Sequence, residues 1–136
     1  MNLTINAITK EPEIIDNIPS IWGEITINEF KETFVIPLEN WNIEDCKKQW
    51  QEGLERILKK DTSCLVTAVQ DPQKAPFINW WLLYRFNDLV IIRNQIIFGK
   101  IYKDKINDNA FTVKNCYDFI HPYKKKKVIS EWKIQL

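Results

Sequence analysis

The chain has 136 residues, 45% hydrophobic and 27% charged, with a net charge of +1. That size suits one domain, residues 1–136, with its own core, and the balance excludes the strong overall field of a general nucleic-acid or anionic-membrane binder. No apolar run nears the roughly 20 residues of a membrane span, and the opening MNLTINAITKEPE lacks the basic region and apolar core of a signal peptide, so a cytoplasmic protein is expected.

In chain order, WGEITINEFKETFVIPL (residues 22–38) reads as a β-hairpin. Ile25 and Ile27 alternate with Glu24 and Thr26, Asn28-Glu29 supplies a turn, and Phe30, Phe34 and Ile36 resume the apolar set before Pro37. A two-residue turn sets Ile27 opposite Phe30 and Ile25 opposite Glu32, leaving a charge on the apolar face, as suits an edge strand guarded against further pairing. A long helix is expected at about 42–60: Asn42 caps it, Glu44 and Asp45 complement the dipole, and Ile43, Cys46, Trp50, Leu54, Ile57 and Leu58 recur at helical spacing. Gly53 interrupts the stripe and implies close packing.

CLVTAVQ (64–70) is a strand, and DPQKAP (71–76) is a proline-bounded turn. FINWWLLYRF (77–86) loads both faces: Phe77, Trp81 and Leu83 on one, Ile78, Trp80, Leu82 and Tyr84 on the other. Asn87-Asp88 turns it into LVIIRNQIIF (89–98), also apolar on both faces except at Arg93, Asn94 and Gln95. Two adjacent central strands follow, covered by the long helix and by other strands or a short helix. After a polar loop at 103–110, Thr112 caps a short helix at about 112–120, with Phe111 set to staple onto Cys116. HPYKKKK is a basic connection, and VISEWKIQL ends the chain as a strand with Val128, Ser130, Trp132 and Ile134 on one face. The order is α+β, built on a curved antiparallel sheet.

Chemistry-bearing motifs are scarce. Cys46, Cys64 and Cys116 form no C-x-x-C pair, which argues against disulfides and structural zinc and for reduced, buried thiols. There is one histidine, His121, and Cys116 five residues before it sits on an apolar face, a poor nucleophile and base pair. With Gly23, Gly53 and Gly99 the sole glycines, no phosphate loop can form, and no G-x-S-x-G or H-E-x-x-H occurs. No enzyme, cofactor or metal site is therefore expected. The Lys124–Lys127 run beside Tyr123 and Trp132 has the character of a phosphate strip with stacking aromatics, although the acidic first hairpin opposes it.

Taken together, GEITINEFKETFVIPLENWNIEDCKKQWQEGLERI, TSCLVTAVQDPQKAPFINWWLLYRFNDLVIIRNQIIF, FTVKNCYDFI and ISEWKI resemble the immunity proteins of contact-dependent growth inhibition systems, the CdiI proteins, over residues 23–134. The branch resembled has a fold similar to the Whirly single-strand-DNA-binding proteins, which implies a curved antiparallel half-barrel sandwich. The resemblance further implies a cytoplasmic protein that binds the C-terminal toxin domain of a cognate CdiA, often a nuclease, in a 1:1 complex that occludes its active site or substrate-binding surface. Near-neutral net charge departs from the strong acidity common among inhibitors of basic nucleases, so a local acidic patch, or a fit of shape and hydrogen bonds, is required. Candidate interface residues are Glu24, Glu29, Glu32 and Glu39 around the first hairpin, with Asp71 and Asp88 at the turns flanking residues 77–86. The alternative is a single-stranded nucleic-acid-binding protein gripping phosphates with Lys124–Lys127, Lys103, Lys105 and Arg93.

Overall fold

A computed structural model describes residues 2–69, 77–98, 111–125 and 130–136. The first sheet is built around β3 (Ile18–Ile27). β1 (Leu3–Ala7) and β2 (Glu13–Ile15) follow one another along one edge of it, and β4 (Phe30–Pro37) pairs with the other. The expected register holds, with Ile27 opposite Phe30 and Ile25 opposite Glu32. Asn28 takes the turn at φ 53°, a left-handed conformation that asparagine tolerates better than most side chains. Ile25 is buried whereas Glu32 is exposed, because β4 is an edge strand. The hairpin pairs from Ser20 to Pro37, β3 itself begins at Ile18, and the two strands before it lie where no element was expected. They are short, and hydrogen bonds from β3 supply the partner they need.

The expected helix is α1 (Ile43–Ile57). Its start is a reciprocal cap: the Asp45 N–H donates to Asn42 Oδ1 at 2.8 Å, and the Asn42 N–H donates to Asp45 Oδ2 at 3.1 Å. Cys46, Trp50 and Ile57 are buried as the stripe requires, but Leu58 lies past the last turn and is 53% exposed. The second sheet runs β5 (Thr62–Val69), β6 (Phe77–Phe86), β7 (Leu89–Phe98) and β8 (Glu131–Gln135), all antiparallel. β6 and β7 are central, joined at Asn87 with φ 56°.

The expected short helix is present in shorter, tighter form. Thr112 does cap, its hydroxyl accepting from the Asn115 N–H at 3.1 Å, but only a 3-10 turn, Cys116–Phe119, follows. Val113, Asn115, Tyr117 and Asp118 are weak helix formers in a segment too short to propagate, and Pro122 holds His121 out of helical geometry. Phe111 packs against the rings of Trp41, Trp80 and Phe119, at 5.7, 5.7 and 5.5 Å. Residues 70–76, the polar loop 103–110 and Val128 lie outside the described residues.

Both faces of β6 are covered from within. Trp80 meets Phe111, and the Tyr84 hydroxyl donates to the His121 carbonyl at 3.0 Å, so residues 111–123 cover one face. On the other, Trp81 packs on Trp132 at 5.4 Å and Trp132 on Phe30 at 4.7 Å, which places the first sheet there. Trp80 and Trp81 are 0% and 1% exposed; burial of side chains this large stabilises by roughly 2–3 kcal/mol each.

α1 also closes the free edge of β5. The Gln49 amide behaves like a neighbouring strand's peptide, donating from Nε2 to the Cys64 carbonyl and accepting at Oε1 from the Val66 N–H, both at 2.7 Å. The Trp50 indole N–H donates to the Val66 carbonyl at 2.7 Å. Gly53 permits this approach, since a Cβ there would stand 2.3 Å from the Cys64 carbonyl oxygen. At the helix's other end, the Arg85 guanidinium donates to the Ile57 and Leu58 carbonyls at 3.2 and 2.8 Å, satisfying groups the helix leaves unpaired.

Candidate functional site

The residues that could have carried nucleophilic chemistry are separated and muted. Cys116 is fully buried with its Sγ 3.9 Å from that of Cys64, while the His121 ring faces Tyr84. Burial pushes the Cys64 thiol well above its ordinary range and raises Cys46 to about 12, with the Asp45 carboxylate adding to the latter; such thiols are poor nucleophiles. Among the described residues, no group of three or more His, Cys, Asp or Glu could hold a metal ion, and no helix is long and apolar enough to cross a membrane.

The basic strip is likewise partly spent on structure. Arg93 is 3% exposed, ion-paired with Glu131, bonded from Nη1 to the Lys124 carbonyl at 2.7 Å, and stacked over the Tyr123 ring at 4.2 Å. It pins the basic connection to β7 and cannot also grip a phosphate. Lys124 and Lys125 are exposed. Lys103, Lys105, Lys126 and Lys127 lie outside the described residues.

The acidic candidates do not form one patch. Glu29 on the β3–β4 turn and Asp88 on the β6–β7 turn share one end of the molecule: Asn28 Nδ2 donates to the Lys133 carbonyl at 3.1 Å and the Leu136 N–H to the Asp88 carbonyl at 2.8 Å, so β8 links the two turns. Glu24 is half-buried, with Asn6 and Thr33 on either side of it across the sheet, and Glu32 stands on the β4 edge. Glu39 follows β4 at the opposite end, where the Leu38 N–H donates to the Pro19 carbonyl at 2.9 Å. Asp71 lies outside the described residues.

What unites most of them is the half of the chain they belong to. Residues 1–45 carry nine acidic and two basic side chains, and residues 46–136 carry nine acidic and seventeen basic ones. The net charge of +1 thus conceals a strongly acidic first sheet joined to a basic remainder. Glu11, Glu13 and Asp16, all exposed, add to this surface and were not among the sequence-derived candidates. The count by halves would have found them, as would the Asp16-Asn17 turn signal, whose residues adopt φ 51° and 64°.

Residues 36–136 match the family described as CdiI N-terminal domain. A relative named "Immunity protein CdiI", from Enterobacter cloacae subsp. cloacae, is 36% identical over 92 residues, which is 67% of this chain but 60% of the relative, less than two thirds of its length. Among solved structures, a chain of the CdiA-CT/CdiI toxin and immunity complex from Enterobacter cloacae is similar with a TM-score of 0.79 and 28% identity, covering 98% of this chain and 90% of that one.

Proposed function

The chain belongs to the CdiI N-terminal domain family of immunity proteins, and on that premise we propose that it binds and neutralises the C-terminal toxin domain of a cognate CdiA in the cytoplasm. The observation that carries this reading is the similarity of 98% of the chain to a chain of the CdiA-CT/CdiI toxin and immunity complex from Enterobacter cloacae. It acts as an inhibitor by occlusion, in a 1:1 complex and with no catalytic step. The toxin is a nuclease, and association covers its active site or the surface with which it holds its substrate.

The charge distribution supports this reading. An acidic sheet steers a basic nuclease and competes for the side chains that would hold phosphates. Glu24, Glu29, Glu32 and Glu39, with Asp71 and Asp88, are the interface candidates carried forward, joined by Asp16. Co-expression with the toxin domain encoded immediately upstream tests the proposal: rescued growth and a co-purifying complex are expected, and neither appearing would refute it.

A further inference from the structure

At the end of the sandwich that holds the β2–β3 turn, the two sheets part around a cavity of about 220 Å³. Its walls include Ile18, Val35, Pro37 and Ala68, and its polar groups are Asp16, Ser20 and Asn79. Ser20 is 1% exposed and forms the floor, its hydroxyl donating to the Ile18 carbonyl at 2.9 Å. Asp16 is exposed, on the turn at the rim. Asn79 Oδ1 accepts from Asn94 Nδ2 at 3.0 Å, which fixes its amide and leaves a second acceptor position. Among the described residues, none that lines it is basic.

A cavity of this volume is far larger than a single water needs and has room for the end of one long side chain. Apolar walls suit a methylene stem, and a rim carboxylate with the half-buried Asn79 amide oxygen suits a cationic head that keeps its hydrogen bonds. The surrounding half of the chain has nine acidic and two basic side chains, so approach of a cation is favoured and that of an anion opposed.

We propose that this cavity is a socket for one arginine or lysine side chain presented by the toxin domain. The inference rests on the immunity reading and deepens it by naming the anchor point. It also assigns Asp16 as the specificity-determining charge.

The test uses the full chain and a catalytically inactivated C-terminal toxin domain encoded immediately upstream, with affinity measured by titration calorimetry at two salt concentrations. Asp16→Asn keeps a residue that tolerates φ 51° and removes the charge, and Ala68→Met fills the cavity. Asp16→Asn is expected to weaken binding about tenfold, with a shallower salt dependence and an unchanged melting temperature. Ala68→Met is expected to weaken it at least as much. If the unmodified chain binds the toxin domain and Asp16→Asn binds equally well with the same salt dependence, the socket is overturned and the immunity reading stands. If the unmodified chain does not bind, the immunity reading falls and the socket with it.

Discussion

Gln49→Leu isolates what α1 does for the second sheet. The two side chains are similar in volume, so no cavity opens, but three groups lose their partner: the Cys64 carbonyl, the Val66 N–H and the Tyr117 hydroxyl, which accepts from Gln49 Nε2 at 3.2 Å. Gln49 is 0% exposed, so water cannot replace it without rearrangement. A buried polar group left unsatisfied costs about 1–3 kcal/mol. With Tyr117 only half-buried, the expected loss is about 3–6 kcal/mol, a large part of the roughly 5–15 kcal/mol that holds a domain of this kind together. Urea unfolding followed by tryptophan fluorescence measures it directly, and at about 4 °C per kcal/mol the melting temperature falls by about 12–24 °C. Gln49→Glu supplies the control, because a protonated carboxyl can both donate and accept in the amide's place. Its pKa in the folded chain is expected to lie above the unfolded value, so its stability is retained at low pH and lost as pH rises through the folded pKa. A loss under about 1 kcal/mol for Gln49→Leu would refute the view that this amide closes the β5 edge.

Gly53→Ala forces a Cβ to within 2.3 Å of the Cys64 carbonyl oxygen, and despite alanine's better helix propensity it is expected to destabilise by about 2 kcal/mol or more in the same unfolding assay. Arg93→Met leaves Glu131 and the Lys124 carbonyl without their guanidinium; a loss of about 3 kcal/mol is expected, partly recovered in Arg93→Met with Glu131→Gln. Burial raises the pKa of Cys64, Cys46 and Tyr84, the last two to about 12. Stability contributed by keeping these groups neutral is therefore fully present below the unfolded pKa values and declines as pH rises from about 9, which melting curves between pH 8 and 11 would register. The same burial predicts that all three thiols resist a thiol-specific chromogenic reagent until urea unfolds the chain.

α1 was legible because its signals are local: Asn42, Asp45 and an apolar stripe act within a few turns of one another, and only the last residues, Leu58 to Lys60, fell outside the helix. The turns at Asn28-Glu29 and Asn87-Asp88 were legible for the same reason, since a two-residue connection fixes the register of both strands it joins. A strand apolar on both faces had to be covered twice, so FINWWLLYRF declared itself central. Membership of the family followed from that ordered scaffold. Three things waited for the fold. β1 and β2, five and three residues long, are too short to announce themselves apart from β3. Arg93 could be assigned to a phosphate or to the core only once Glu131, distant in sequence, stood beside it. The socket exists because Asp16, Ala68 and Asn79, from different strands and turns, converge where the sheets part. Residue periodicity reports which face of its own element a side chain occupies, but the opposing surface comes from elsewhere in the chain, and only tertiary packing supplies it.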